Sequence, residues 1–244
     1  MIPKIIHYCW FGRGEMPDLV KTCIASWYKY MPDWEYRLWS EENFDIASSP
    51  DYVQEAYAVK KYAFVSDYVR LWALEREGGL YLDTDVEVLR SFEPLMNDTA
   101  FIGLEESLTL LPGTCVMACE AHCQWVKDML ATYDGAHFLS EEETMDMTTN
   151  VQRLGKRMVE SGLQHERKLQ YLPQWGLRVY THDYFSPITS TRVMRKSKNT
   201  YCIHRFAGTW VDGKKSVVRH WWIMREITNL LVQMKRSFTK KGNR

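Results

Sequence analysis

The 244-residue chain lacks the features that place a protein in a membrane or in the secretory pathway. It has no run of about 18 apolar residues, so no segment is expected to span a bilayer. The N-terminus leads directly into PKIIHYCWFG, without the basic region, long apolar region and cleavage site of a signal peptide. We therefore expect a cytoplasmic protein, and the 45% hydrophobic content is sufficient for the core of one α/β domain.

Cysteine pairs of the CxxC type are also absent, although the chain has six cysteines. Cys115, Cys119 and Cys123 recur every four residues, which would make one stripe on a helix. A soft-metal site is one interpretation of this stripe. Buried free thiols are commoner on a helix face, and the spacing differs from that of structural zinc sites. The cysteines therefore do not indicate disulfides.

The most informative segment of the chain is residues 63–88. A helix-length apolar stretch ends in two glycines and leads into a short apolar strand that closes on Asp83 and Asp85. Side chains alternate faces along a strand, so these two carboxylates should point the same way at a sheet edge. Converging carboxylates suit Mg²⁺ or Mn²⁺, whose remaining positions are commonly filled by substrate phosphates. The pattern predicts a metal and diphosphate site, although Asp is also common at strand ends for local hydrogen bonding.

Asp67 and Arg70 lie one helical turn apart in the apolar stretch that precedes the two aspartates. A helix that is apolar at most positions is largely buried. Buried charges are paired or used in a site. Two interpretations therefore stay open, an internal ion pair and a pair that belongs to the site predicted at Asp83 and Asp85.

These residues together resemble a known family. Ser66-Asp67-x-x-Arg70 followed by Gly78-Gly79-x-Tyr81-Leu82-Asp83-x-Asp85 is similar to the DXD sugar-binding region of glycosyltransferase family 32. That family includes capsular-polysaccharide and yeast mannosyl-chain transferases and is related to the glucosyltransferase domains of the large clostridial toxins. Three further segments resemble other family elements, so the likeness extends over about residues 1–210: the opening IPKIIHYxWxG, Tyr184-Phe185-x-Pro187 and His204-x-x-x-Gly208-Thr209-Trp210.

The resemblance implies a fold and an activity. The implied fold is α/β of the GT-A type, a Rossmann-like mixed sheet flanked by helices, over residues 1–212. The implied activity is metal-dependent transfer of a hexosyl group, with retention of configuration, from a nucleotide sugar that we expect to be a UDP-hexose. The implied acceptor is a sugar of a surface polysaccharide, as in capsule synthesis, or a lipid-linked oligosaccharide. We expect no nucleic-acid partner.

The resemblance also assigns roles to individual residues. Asp83, Asp85 and His204 are the expected ligands of Mn²⁺ or Mg²⁺, and the catalytic set is Asp83, Asp85, Asp67 and Arg70. Trp10 is expected to stack on the nucleobase, although a core aromatic is an equally good interpretation of a tryptophan from sequence alone. The other donor-binding candidates are Asp67 and Arg70 for hydroxyls and phosphates and Tyr81 for the diphosphate or ribose. Gly208, where a glycine permits close backbone approach to a phosphate, and Trp210 of the same element complete this set.

Hydrophobic periodicity predicts the order of elements. The chain opens with a βαβ unit, formed by a strand over 5–10, a helix over 17–30 and a strand over 34–39. A helical region over 51–77, the strand leading to the two aspartates and a strand over 100–104 follow. Helices are predicted over 113–133 and 150–161, with a loop over 140–146. Glu105 and Glu106, after the strand that ends at 104, fit a solvated loop better than a place near the sugar.

The segment 213–244 differs from the rest of the chain in charge. It carries nine basic residues and one acidic residue, Glu226, within a net charge of zero for the whole chain. Apolar residues at roughly helical spacing accompany these charges, including Trp221, Trp222 and Leu230. Two interpretations are equally open, a helix on the anionic inner face of the plasma membrane and a C-terminal helix that docks on the domain.

Two rival functions fit parts of the same pattern. An apolar strand followed by Asp83-Thr84-Asp85-Val86 also suits a phosphatase of the haloacid dehalogenase type, in which the first Asp attacks phosphate. That signature normally closes the first strand of its domain and needs a second acidic pair downstream, and this chain has no Asp-Asp pair. A non-catalytic sugar-binding protein that uses the ten tryptophans is the third reading.

Overall fold

A computed structural model describes residues 1–105, 111–164, 166–188 and 193–208. Nine strands and six α-helices lie in these ranges, alternating through the first third of the chain. In chain order they are β1 (Ile5–Cys9), α1 (Asp18–Tyr30), β2 (Glu35–Trp39), α2 (Asp51–Ala58), α3 (Tyr62–Glu77), β3 (Gly79–Leu82), β4 (Val86–Val88), β5 (Ala100–Glu105), β6 (Leu111–Cys119), α4 (Gln124–Leu130), α5 (Asn150–Glu160), β7 (Gln170–Leu172), β8 (Leu177–Tyr180), α6 (His182–Phe185) and β9 (Cys202–His204).

The predicted βαβ opening is present. β1 and β2 pair in parallel from Ile5 opposite Glu35 to Cys9 opposite Trp39. Between them, α1 starts after Pro17 and buries one face through Val20, Cys23 and Trp27. The three- and four-residue spacing of these side chains is the helical period, which is why the pattern could be read from the sequence.

The helical region predicted over 51–77 consists of two helices. α2 ends at Ala58 and α3 starts at Tyr62. Lys60 between them has a φ of 61°, a left-handed conformation that a continuous helix cannot contain. The break lets each helix bury its own apolar face.

The main sheet has seven strands in the order β2-β1-β3-β6-β5-β8-β7. β1 is parallel to both β2 and β3, whereas β6 is antiparallel to β3 and β5. β8 is parallel to β5, and β7 is antiparallel to β8. The expected mixed α/β sheet flanked by helices is therefore confirmed. β3 is an inner strand, parallel to β1. Its last residues lie at the end of the sheet where β1, β2 and β3 have their carboxyl ends, and open α/β sheets bind ligands at this end.

The helix predicted over 113–133 is wrong for most of its length. Residues Leu111–Cys119 form β6, and only Gln124–Leu130 are α-helical. Cys115 and Cys119 therefore lie in a strand, while Cys123 lies beyond it, so the three thiols do not form a helical stripe. β6 is buried on both faces between β3 and β5, and such a strand is apolar throughout and shows no period that separates it from a buried helix. All six cysteines are free.

A second, two-stranded sheet joins distant parts of the chain. β4 pairs with β9 in antiparallel register, with Val86 opposite His204 and Val88 opposite Cys202. Trp27 of α1 donates its indole N–H to the carbonyl of Val86 at 2.6 Å and so attaches this ribbon to the first helix. The residues that the structure describes include no helix with the length and hydropathy of a membrane span. The segment 213–244 lies outside them.

Candidate active site

Asp83 and Asp85 lie in the turn that follows β3, not within the strand. β3 ends at Leu82, and the turn closes with a hydrogen bond from the Val86 N–H to the Asp83 carbonyl at 3.0 Å. The Asp83 N–H donates to the carbonyl of Cys115 on β6 at 2.9 Å. The expectation that strand alternation aligns the two carboxylates is therefore wrong in its cause, because a turn between β3 and β4 brings them together.

The two aspartates and His204 form a group that could hold a metal ion. One ligand atom of each residue lies within 4.8 Å of the other two. The side chains of Asp83, Asp85 and His204 are 25%, 15% and 12% exposed, so the group faces a partly open space that a substrate could enter. Two carboxylates and an imidazole are a donor set that fits Mn²⁺, and the carboxylates also fit Mg²⁺. The residues present therefore fit the metal that the resemblance implied.

The ribbon of β4 and β9 brings His204 to the aspartates. His204 Nε2 lies 3.4 Å from Asp85 Oδ1, which is an ion-pair distance. The residues after β9 also bind Asp85, because the Ala207 N–H donates to Asp85 Oδ2 at 2.7 Å and the Arg205 N–H donates to the Asp85 carbonyl at 3.0 Å. The turn after β3 and the segment after β9 thus hold each other in place.

Arg70 of α3 contacts two other predicted site residues, Asp67 and Asp83. Its Nη2 lies 3.2 Å from Asp67 Oδ1 and 3.2 Å from Asp83 Oδ1. Nη1 donates to the carbonyl of Thr114 at 2.9 Å, and Nε donates to the carbonyl of Ser66 at 3.2 Å. The internal pair of Asp67 and Arg70 is therefore present, and it reaches Asp83, so the two interpretations of the pair describe one network.

Asp67 also binds the start of α5, which the sequence did not indicate. The Asn150 N–H donates to Asp67 Oδ2 at 3.0 Å, and the Asn150 side-chain amide donates to the Asp67 carbonyl at 2.6 Å. The Tyr133 hydroxyl donates to Asn150 Oδ1 at 2.8 Å. A carboxylate at the first residue of a helix satisfies a donor that has no partner within the helix and complements the helix dipole. Asn150 is thus a residue of this network that sequence reasoning missed.

Tyr81 lies beneath Asp83. Its hydroxyl donates to Asp83 Oδ1 at 3.0 Å, and the guanidinium of Arg70 lies 4.5 Å from its ring centroid. Tyr81 is buried, and its hydroxyl contacts Asp83. The expected contact with ribose or diphosphate stays a prediction. Arg70 and Tyr81 together orient one oxygen of Asp83.

Trp10 and Gly208 lie in two segments near the same end of the sheet. Trp10 follows β1, the parallel neighbour of β3, and is partly exposed with its indole N–H donating to the Gly14 carbonyl at 2.6 Å. It is therefore not a core residue. Gly208 has a φ of 61°, in the left-handed region that favours glycine. Trp210 lies outside the described residues.

Glu105 ends β5 and is buried, so the expectation of a solvated loop is wrong for this residue. Its Oε1 lies 3.8 Å from His204 Nδ1, on the side of the ring away from Asp85. The strand extends one residue further than predicted and carries the carboxylate inwards. Glu106 lies outside the described residues.

Burial and charge shift the pKa values of the three potential metal ligands, Asp83, Asp85 and His204, in different directions. Burial raises the pKa of Asp83, the Arg70 guanidinium opposes this rise, and the Asp85 carboxylate adds to it. Burial acts to raise the pKa of Asp85 as well, but His204 and the Ala207 N–H hold it below its ordinary value. Burial alone would lower the pKa of His204, but the adjacent Cys115 and Asp85 raise it well above the ordinary value. Asp85 is therefore the carboxylate held most firmly in its charged form.

The geometry does not favour the phosphatase reading. Among the described residues, the third ligand-type side chain beside Asp83 and Asp85 is His204, whereas the phosphatase signature needs a second acidic pair. β3 is also the third strand of the chain, not the first.

Comparison with known proteins agrees with this site. Residues 17–102 match the family described as glycosyltransferase sugar-binding region containing DXD motif. The matched range includes the network of Asp67, Arg70 and Asp83 together with Asp85. The family resemblance read from the sequence is therefore confirmed over this range.

Two similar proteins are yeast proteins whose names refer to inositol phosphoceramide or its mannosyl form. Inositol phosphoceramide mannosyltransferase 3 of Schizosaccharomyces pombe is 34% identical over 104 residues, covering 41% of this chain and 29% of the relative. Mannosyl phosphorylinositol ceramide synthase CSH1 of Saccharomyces cerevisiae is 28% identical over 105 residues, covering 42% of this chain and 28% of the relative. The matched part of the chain thus spans less than a third of the length of these relatives.

A solved structure with a similar fold is that of the PaToxG glycosyltransferase. It superposes with a TM-score of 0.50 and 16% sequence identity, covering 66% of this chain and 70% of that chain. At this identity the likeness concerns the fold. Together with the strand order, it confirms the GT-A type α/β architecture.

Proposed function

We propose that the chain is a metal-dependent glycosyltransferase that moves a hexosyl group from a nucleotide sugar to a saccharide or glycolipid acceptor. The observation that carries the proposal is the convergence of Asp83, Asp85 and His204 to within 4.8 Å at the carboxyl end of β3. Two of the three residues form the DXD motif of the matched region, and the third comes from β9 far along the chain. Convergence of distant ligand-type side chains beside a family motif is the pattern expected of a site rather than of a solvated acidic surface.

Breaking the bond between the sugar C1 and the diphosphate places negative charge on the leaving phosphate. A divalent ion held by Asp83, Asp85 and His204 would supply Lewis-acid stabilisation of that charge. The protein's own contribution is to fix the ligands. Arg70 and Tyr81 hold one oxygen of Asp83, and the backbone after β9 holds one oxygen of Asp85.

The donor base would lie beside Trp10. β1 and β3 are parallel neighbours, so Trp10 and Asp83 follow strands that end at the same edge of the sheet. A partly exposed indole offers a flat apolar face, and a nucleobase stacks on such a face without sequence-specific hydrogen bonds. Its ring is held by the hydrogen bond to Gly14. Gly208 follows Ala207, whose N–H donates to Asp85. Because glycine has no side chain, a donor phosphate could approach the backbone closely at this position.

We propose two classes of donor for testing. UDP-hexoses are the donors that we expected at the outset, and a nucleotide-activated mannose is suggested by the names of the yeast relatives. Those names also support an acceptor with a lipid-linked polar headgroup, such as an inositol phosphoceramide. We further propose that the anomeric configuration of the sugar is retained, as the family resemblance implies.

Slow hydrolysis of nucleotide sugars tests the proposal without knowledge of the acceptor. The protein would be incubated with a panel of UDP-hexoses and a mannose nucleotide, with Mn²⁺ or with EDTA, and release of the nucleoside diphosphate would be measured. We expect one donor to be hydrolysed with Mn²⁺ only. Asp85→Ala and Asp83→Ala should each lose roughly two or more orders of magnitude while the seven-stranded sheet stays folded, since both side chains lie in the turn after β3 and outside the hydrophobic core.

Arg178→Lys is the matched control for substitution of a charged residue outside the site, because its pair with Asp98 lies near the start of β8. This variant should keep wild-type hydrolysis. Equal wild-type rates in EDTA and in Mn²⁺ would contradict the metal assignment. Release of phosphate from simple phosphomonoesters would instead favour the phosphatase, and binding without any turnover would favour a sugar-binding protein.

A further inference from the structure

His204 has two ring nitrogens, and they face different carboxylates. Nε2 lies 3.4 Å from Asp85 Oδ1, on the side of the two aspartates. Nδ1 lies 3.8 Å from Glu105 Oε1. Nδ1 is buried and, among the described residues, has no hydrogen-bond partner. A buried ring nitrogen without a partner needs an explanation, because leaving it unsatisfied is destabilising.

Glu105 is the residue on β5 that faces this nitrogen. Its side chain is only 6% exposed, so the carboxylate faces the interior beside the imidazole. β5 ends at Glu105, in the same sheet as β3, so strand pairing fixes where the carboxylate starts. The separation of 3.8 Å is longer than a hydrogen bond. A shift of under an ångström in either side chain would close it, and such contacts often tighten only in the liganded site.

We propose that Glu105 is a positioning residue for His204, an inference that rests on the proposed metal-dependent function. Glu105 accepts the Nδ1 proton of the imidazole, so that Nε2 faces the aspartates, where a bound metal would replace its proton. Histidines that bind metal usually donate their second ring N–H to a carboxylate or a carbonyl, and this contact fixes the tautomer and the ring orientation. Glu105 thereby makes His204 a ligand rather than a counter-ion of Asp85.

Mn²⁺ binding, followed through the signal of free Mn²⁺ in electron paramagnetic resonance, tests this inference without substrate. Glu105→Ala should weaken Mn²⁺ binding by about 10- to 100-fold, the effect typical of losing a carboxylate partner of a metal-binding histidine. Glu105→Gln keeps the side-chain shape and one acceptor oxygen, so its affinity should lie between wild type and Glu105→Ala. Glu75→Gln is the control. Glu75 is also a glutamate paired with a histidine, with its Oε1 2.9 Å from His122 Nδ1, but this pair does not belong to the site.

The same measurement in a His204→Ala background separates positioning from simple charge attraction. If Glu105 acts through His204, its substitution should change Mn²⁺ affinity by no more than ~2-fold once His204 is absent. An equal loss in both backgrounds would mean that Glu105 attracts the cation by its charge and would overturn the inference. Wild-type affinity in Glu105→Ala or in Glu105→Gln would overturn it as well.

Failure of the proposed function would look different. Wild-type and Asp85→Ala proteins would then bind Mn²⁺ equally, which would refute both the proposed metal site and the role of Glu105. Where Asp85→Ala abolishes Mn²⁺ binding and both Glu105 variants leave it unchanged, the metal site stands and only the positioning role is refuted.

Discussion

Arg70→Lys is the substitution that the structure constrains most closely, because charge is kept and only geometry is lost. The guanidinium serves four acceptors: two carboxylates through Nη2, the Thr114 carbonyl through Nη1 and the Ser66 carbonyl through Nε. An ammonium is a compact point charge without this planar fork. Lysine at this position can therefore reach one carboxylate, but it leaves Thr114 or the second carboxylate without its donor.

The expected loss of stability follows from those contacts. A hydrogen bond to a charged group contributes about 1.5–3 kcal/mol, and an unsatisfied buried acceptor adds its own penalty. With at least one such bond lost and one partly replaced, Arg70→Lys should lower the free energy of unfolding by about 2–4 kcal/mol. Arg70→Ala removes the charge partner of the buried Asp67 and of the partly exposed Asp83 and should lower it by about 3–5 kcal/mol.

Urea unfolding and donor hydrolysis together check this reasoning. Because Arg70 fixes Asp83, hydrolysis by Arg70→Lys should fall on the order of 100-fold, as expected for misplacement of a ligand by about an ångström. Arg178→Lys changes an arginine whose Nε donates to Asp98 at 2.7 Å near the surface and should change neither quantity much. An Arg70→Lys protein with wild-type unfolding and wild-type hydrolysis would refute the network as described.

Three further predictions concern other parts of the chain. Trp10→Ala should weaken binding of the donor nucleotide by about 1–3 kcal/mol at an unchanged melting temperature, and full affinity in a titration would remove Trp10 from the donor site. Burial lowers the pKa of His7 from 6.5 to about 4, so its contribution to stability, about 3 kcal/mol, should be complete above pH 6.5 and lost as the pH falls towards 4. His7→Gln should lack this part of the pH dependence in urea unfolding from pH 4 to 8, and identical profiles would contradict it. The segment 213–244 should bring the protein down with vesicles of anionic lipid at low salt, and a chain that ends near Met234 should sediment less while it keeps donor hydrolysis; failure to sediment at any salt concentration would exclude the membrane role.

The first part of the fold could be predicted because its periodicity is unambiguous. Helix α1 repeats its buried residues at three- and four-residue spacing, and β1 is a short run of β-prone residues. β6 could not be identified in this way. It lies between two strands with both faces buried, so its sequence lacks the alternation that marks a strand with one exposed face. The short strands β7 and β9 are defined by their partners rather than by any local pattern.

The candidate site was partly predictable for a related reason. Residue type and spacing pointed to Asp83 and Asp85, because two carboxylates after an apolar strand are chemically distinctive. The sequence pattern could not show that a turn brings them together, because an aspartate at every second residue also fits a strand. The role of Asn150 could not be predicted either, since its bonds to Asp67 join residues that are 83 positions apart. His204 was found through the family resemblance, not through its surroundings.

The β4 and β9 ribbon explains why the third ligand had to come from far along the chain. The turn after β3 presents two carboxylates of like charge, and burial raises the cost of holding both ionised. The ribbon supplies what compensates them: His204 opposite Val86, and the Arg205 and Ala207 N–H groups on Asp85. β4 is only three residues long and its partner β9 equally short, so the pairing needs further contacts, which the bonds at Asp85 supply together with the bond from Trp27 to Val86. The site and the ribbon are therefore one structural unit, and substitutions at Asp85 should disturb the pairing of β4 with β9 before they disturb the seven-stranded sheet.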